Sequence, residues 1–251
     1  MNRVYEVRLG RILTPTGPQY AVSQDGAWLH IEDPFAAILS YTGQATPTHR
    51  ATLLAPVTPT SIVGVGHNPA ESNNGLPIQA WHKSVRTLAD PEDKIRVRRG
   101  DGAVIAEGEL AVVIGKRSTE LTYENAREHI LGYTIANDVT NVDQALIDER
   151  LFQAKAGEKY TPLGPWIETT IGDPDDLAIT VTLNGEAKVQ SGTFNLPSSV
   201  VDCLIYVTRW VTLDAGDVVM TGAPGTSLAV RPGDSVGISI NGIGTLANSV
   251  I

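Results

Sequence analysis

Residues 177–192, LAITVTLNGEAKVQSG, set Asn184-Gly185 between two runs that alternate apolar and polar side chains. Asn-Gly suits the left-handed turn of a two-residue hairpin, and the alternation puts every second side chain on one face, so the stretch predicts an antiparallel strand pair. The same grammar recurs along the chain: short Val/Ile/Thr runs punctuated by 24 glycines and 15 prolines in 251 residues. Such punctuation favours β structure over a helical bundle. With 42% hydrophobic residues the chain can bury a substantial core, as one large β-rich domain or as a main domain with a small appendage.

Residues 1–58 predict a small N-terminal β-rich region, with strands in VYEVRLG and QYAVSQDGAWLHI and a short helix opening at Asp33-Pro34. The Pro/Thr-rich segment TLLAPVTPTS (52–61) predicts the connection to a main domain over 59–251. There SIVGVG (61–66) is a buried strand, and the polar, Gly/Pro-rich HNPAESNNGLPIQAW after it predicts a lid-like loop. TYENAREHILGYTIANDVT predicts a helix capped at Thr122 and running through Ile130, then a strand ending at Asp138. LPSSVVDCLIYVTRWVTL predicts an amphipathic helix with Pro197 near its start, and strands separated by Gly-Asp and Asn-Gly turns follow.

A formal net charge of −9 argues against polyanionic partners, and 6% aromatic residues leave little to stack on single-stranded nucleic acid. The one basic cluster, Lys94-Ile95-Arg96-Val97-Arg98-Arg99, alternates with apolar residues as an exposed strand face does. No apolar stretch reaches the roughly 18 residues of a membrane span, and MNRVYEVRLG lacks the apolar core of a signal peptide. One cysteine, Cys203, allows no internal disulfide; its apolar context suits a core residue, and a cytoplasmic protein is the expectation.

The stretch AEGELAVVIG (106–115) bears on chemistry. Residues i and i+2 of a strand share a face, so Glu107 and Glu109 stand side by side at the mouth of an apolar run, where like charges repel and solvation is lost. Asp138 closes the apolar segment GYTIANDV in the same way. Three carboxylates at strand ends, without cysteines or paired histidines nearby, suit a hard cation such as Mg²⁺, Mn²⁺ or Ca²⁺. By spacing alone the pair reads first as a solvated strand end, and only second as a cation site. Of the histidines, His30 and His49 have no carboxylate nearby in sequence and His129 reads as a helix-surface or packing residue, whereas His82 and His67 stand near the expected lid.

Taken together, SIVGVGHNPAES, EGELAVVIGK, GYTIANDVTNVDQ, YTPLGPWIET, LNGEAKVQ, TLDAGDVVMTGAPG and PGDSVGISINGIGTLANSV occur in one order and at separations that resemble the fumarylacetoacetate hydrolase family in its short bacterial form, over roughly residues 60–251. The resemblance implies a mainly β (α+β) fold, a mixed β-sandwich roll with a few helices, usually a homodimer. It implies Mg²⁺ or Mn²⁺ held by Glu107, Glu109 and Asp138. It also places a metal-proximal lysine at Lys155, seven residues before the PLGP turn, with Glu158 three residues on. Lys83 matches a lysine after the lid, and Gln190 with the backbone around Gly222 and Gly225 matches positions lining a substrate pocket.

The departures lie beside that site. Where the family's lid carries a tyrosine and a histidine, this chain has Pro69 and Ser72, leaving His67 or Glu71 to serve as the catalytic base; a usual arginine is Val142 and a usual threonine is Ala223. The resemblance implies C–C bond cleavage, by hydrolysis or decarboxylation, of a small 2-oxo or enol acid through a metal-stabilised enolate, as in aromatic catabolism. Keto–enol isomerisation is the second expectation, and an inactive metal-binding homologue the third.

Overall fold

The computed structural model describes residues 7–67, 78–98, 100 and 102–251, with His67 described by its backbone alone. Among the described residues the chain is mainly β, arranged as two mixed sheets. The larger runs, from one edge to the other, through Tyr41–Pro47, Ala27–Ile31, Gly17–Gln24, Arg8–Thr14, Thr161–Glu168, Ile130–Asn137, Val104–Ile114, Val218–Met220, Ile62–His67 and Ile78–Lys83. The smaller one orders Glu186–Gly192, Ala178–Leu183, Ser235–Ile240, Gly244–Val250 and Lys94–Ile95. The hairpin of the smaller sheet turns at Asn184 (φ 53°) and Gly185 (φ 84°), with Leu183 opposite Glu186, as its dipeptide predicts.

One strand positions the site. Val104–Ile114 pairs through its first half with Ser227–Val230 and through its second with Val218–Met220, while Ile130–Asn137 lies along its other side. Gly108 sits where the partner changes. A Cβ there would lie 2.9 Å from Ile238 and 3.2 Å from Val181, so Gly108 is pressed against the smaller sheet. Its neighbours Glu107 and Glu109 therefore project from the opposite face.

The core is continuous across the region where a boundary is expected. Arg8–Thr14 pairs antiparallel with Thr161–Glu168, Leu9 facing Ile167, and Leu9, Val22, Ile31, Ala55 and Val57 share one apolar cluster with Ala111, Val113, Ile167 and Val218. Each of the Leu, Ile and Val side chains among them, fully buried, contributes roughly 1.5–3 kcal/mol. On the other face the helix Val200–Thr208 buries Val200, Val201, Cys203, Leu204 and Val207. Ser199 and Asp202 cap it reciprocally, satisfying two N–H groups of its first turn.

Two expected helices do not form. At Asp33 the side chain accepts the Phe35 N–H at 2.8 Å and the chain continues without a regular helix. Over 122–130 only a 3₁₀ turn, Ala126–His129, is present, because Ile130 and Gly132 are taken as strand partners by Ile114 and Val113. Long-range pairing overrides the local cap signal; Asn125 Oδ1 accepts from Thr122 N–H at 2.8 Å and holds a turn instead. No helix among the described residues is long and apolar enough to cross a membrane.

Candidate active site

Glu107, Glu109 and Asp138 come together as their strand ends predict. The Asp138 N–H donates to the Glu107 carbonyl at 2.9 Å, and Asn137 Oδ1 accepts the Glu107 N–H at 3.0 Å, so the two strand ends are stitched beside the acids. Around them stand two ammonium groups. Lys83, with a fully buried side chain, donates to Asp138 Oδ1 and to the Tyr160 carbonyl at 2.7 Å. Lys155 closes the short helix Phe152–Lys155 and donates to Asp138 Oδ2 at 2.5 Å, Thr140 Oγ1 at 2.6 Å and Glu107 Oε2 at 3.3 Å. Those three bonds use all three of its protons. Thr140 Oγ1 in turn donates to Glu107 Oε2 at 2.6 Å, and Ser227 Oγ to Glu107 Oε1 at 2.9 Å.

Glu109 is the exception. It is 2% exposed, accepts the Gly222 N–H at 2.9 Å, and has no ion pair within 4.0 Å among the described residues. Its carboxyl is pushed well above the ordinary range by burial, and further by the charges of Asp138 and Glu107. For Asp138, burial acts in the same direction, but Lys83 and Lys155 outweigh it and hold the carboxyl below its usual value. Lys155 shows the converse: burial opposes its charge, yet Asp138 and Glu107 raise it overall. Lys83, buried deeper, is lowered, chiefly by desolvation.

Three carboxyl groups against two ammonium groups leave one without a countercharge, and it is the most poorly partnered member, Glu109. Among the described residues no group of three His, Cys, Asp or Glu side chains closes on one point as an ion-holding set; the Lys155 ammonium lies between Glu107 and Asp138. The donor set nonetheless fits a hard divalent ion. It is all oxygen, it is held on strand ends, and it contains a buried carboxyl with no countercharge of its own.

The other expected residues are placed as follows. Gly222 reaches the site through its N–H. Its loop is tacked to the central strand by Thr221 Oγ1 on the Leu110 carbonyl at 2.9 Å and Thr226 Oγ1 on the Gly108 carbonyl at 2.6 Å. Gly225 belongs to that loop, in a left-handed turn at φ 73°. Gln190 is exposed on Glu186–Gly192, adjacent to Ser191, whose hydroxyl donates to the Pro224 carbonyl. Lys83 turns inward to Asp138. His67 ends the strand Ile62–His67, and Glu71, with Pro69 and Ser72, lies outside the described residues. Glu158 stands apart in an exposed pair with Arg96 at 3.1 Å. Cys203 is core, its thiol pushed up to about 12 by burial.

Thr140, Ser227 and Trp81 are site residues that sequence reasoning passed over. Lys155 Nζ lies 4.8 Å from the Trp81 ring centroid. Two of the three carried a period-two signal: Trp81 precedes Lys83 by two on one strand, and Thr140 follows Asp138 by two.

The chain has relatives among known proteins. The family model described as fumarylacetoacetate (FAA) hydrolase, C-terminal, matches residues 49–251. Protein Rv2993c of Mycobacterium tuberculosis is 34% identical over 98% of both chains. The solved 5-carboxymethyl-2-hydroxymuconate delta-isomerase of Mycobacterium smegmatis superposes with a TM-score of 0.91 at 34% identity, covering 97% of this chain and 99% of that one. The mitochondrial oxaloacetate tautomerase fahd2 of Xenopus laevis is 32% identical over 79% of this chain and 68% of its own length.

Proposed function

We propose that this chain, which belongs to the fumarylacetoacetate hydrolase family, is a divalent-metal-dependent enzyme that moves a proton at the enolisable carbon of a small 2-oxo or enol dicarboxylic acid. The observation that carries the reading is the meeting of an under-compensated acid cluster with a positioned ammonium: Glu109 without an ion pair, and Lys155 Nζ 2.5 Å from Asp138. Glu107, Glu109 and Asp138 are the residues to hold Mg²⁺ or Mn²⁺, which supplies Lewis acidity toward a substrate oxygen. Lys155 carries a proton at Nζ beside that position. Its longest bond, 3.3 Å to Glu107, is the one most readily exchanged for a substrate oxygen on which negative charge develops. Lys83 holds Asp138 from behind, and the Gly222 N–H orients Glu109.

Relatives named as an isomerase and a tautomerase support proton transfer ahead of the C–C cleavage that the sequence put first. Cleavage by hydrolysis or decarboxylation starts from the keto form and leaves an enolate that the same site would stabilise; it remains the second reading. The base that cleavage would need is assigned, on this reading, to His67, which ends the strand paired with the one carrying Trp81 and Lys83. A panel of oxaloacetate, acylpyruvates and enol dicarboxylates, followed with Mg²⁺ and Mn²⁺ by enol absorbance and by product analysis, tests both. Enol–keto interconversion without carbon loss is the expected result. Carbon dioxide or a cleaved acid as the main product would move the assignment to cleavage, and no turnover across the panel would end the enzymatic reading.

A further inference from the structure

Trp81 is seated in a way that its own strand does not require. Gly64 and Trp81 are register partners across Ile62–His67 and Ile78–Lys83. A Cβ on Gly64 would lie 2.6 Å from the indole Cε2, and one on Gly66 would lie 2.8 Å from its Cζ3. Neither glycine has a positive φ, so what they provide is space. The six-membered ring lies over both glycines, with its Nε1 buried and unpartnered among the described residues. Leaving an indole N–H without an acceptor is costly, so the seat is kept for another reason. Over the ring, 4.8 Å from its centroid, stands the Lys155 ammonium.

We propose that Trp81 is a positioning residue for Lys155, and that the Gly64-Val65-Gly66 notch is the floor that lets it be one. The inference rests on the role given to Lys155 above. Of the groups holding that ammonium, Asp138 and Glu107 are also the proposed ion ligands, so an ion draws on the same oxygens. The Thr140 hydroxyl and the indole face are the two holds that carry no negative charge for the ion to take. In a dry site a ring face attracts a cation strongly and without direction along the plane, so Nζ stays beside the acids while its protons change partners.

The seat is tested by a measurement independent of turnover. In protein labelled with ¹³C,¹⁵N-lysine, the Lys155 ε-methylene protons, identified by their loss in Lys155→Met, are expected upfield of the other lysines through the indole ring current. They stay there when Mg²⁺ is added, and they return to the common position in Trp81→Leu and in Gly64→Ala, whose new Cβ expels the ring. With oxaloacetate as the probe, Trp81→Leu lowers kcat about tenfold with KM changed less than twofold, and Trp81→Phe, which keeps a ring face, stays within about threefold of the parent. In the Lys155→Met background Trp81→Leu has no further effect. A Lys155 signal at the common position in the parent protein overturns the proposal, as does a Trp81→Leu loss of equal size with and without Lys155, or a Phe variant as poor as the Leu variant. Should the parent turn over no substrate, the functional reading fails while the resonance still decides the seat.

Discussion

Asp217 and Glu109 are equally hidden, each 2% exposed, and lead opposite lives. Asp217 Oδ1 accepts from Thr60 N–H at 2.9 Å, Ser61 N–H at 2.7 Å and the Thr60 hydroxyl at 2.9 Å, and its Oδ2 accepts from Asp214 N–H at 2.8 Å. Glu109 accepts one N–H, from Gly222. A carboxylate taken from water needs several donors or a cation to replace its hydration. Asp217 found its donors in the backbone and became a staple between the segment entering Ile62–His67 and the turn before Val218–Met220. Glu109 found one, and on the proposed reading its remaining demand is what an ion would answer. Burial alone does not mark a candidate functional acid; burial with unmet demand does.

The largest effect that sharpens this contrast is on Asp217. Asp217→Ala strands three backbone N–H groups and should lower unfolding free energy by about 3–5 kcal/mol in urea titration. Mn²⁺ affinity per folded molecule should be unchanged; a matching loss of Mn²⁺ binding would erase the distinction between the two acids. Glu109→Gln should do the reverse, weakening Mn²⁺ at least about a hundredfold in calorimetry, roughly 2.7 kcal/mol, while the metal-free protein holds or gains about 1 kcal/mol of stability. Undiminished Mn²⁺ affinity would remove Glu109 from the ligand set.

A third measurement separates them by pH. The native Glu109 carboxyl keeps its proton to higher pH than the unfolded chain does, so the native state binds more protons and stability falls as pH rises from about 4.5 toward the raised value. Glu109→Gln should flatten that slope in metal-free protein, and saturating Mn²⁺ should flatten it in the parent. Asp138 acts in another window: its contribution is present above its ordinary 3.8 and is lost as pH falls through its depressed value. An identical slope in parent and Gln variant would show that Glu109 is satisfied after all. The smallest effect belongs to Ser227→Ala, which removes one hydroxyl donor from Glu107 at 2.9 Å. It should cost about 1 kcal/mol of Mn²⁺ affinity, near fivefold, with no change in unfolding midpoint beyond error.

Which parts of this were legible in the chain follows from how far apart the deciding residues lie. The hairpin at Asn184-Gly185 and the strand carrying Glu107 and Glu109 are written in neighbours two residues apart, so their period is visible in sequence. Residues 122–130 carry equally local helix signals, yet Ile114 and Val113 claim Ile130 and Gly132 for a sheet, and no window around Thr122 contains that competitor. The meeting of the three acids was legible because Glu107 and Glu109 open an apolar run and Asp138 closes one. The seat of Lys155 was not, since Gly64, Trp81 and Lys155 meet across three separate elements and only the glycine spacing left a trace.

The change of partners at Gly108 has a consequence for how such a chain tolerates variation. The acids ride on a beam fixed from both sides, with Ser227–Val230 and Val218–Met220 along successive halves of one edge and Ile130–Asn137 along the other. Loops at the rim can be lengthened or exchanged without moving that beam. A single residue inserted between Glu107 and Glu109, by contrast, would swing one carboxylate onto the face that packs against Ile238 and Val181. Appetite for substrates is thus free to drift at the edges of the molecule, while the spacing of two letters at its centre is not.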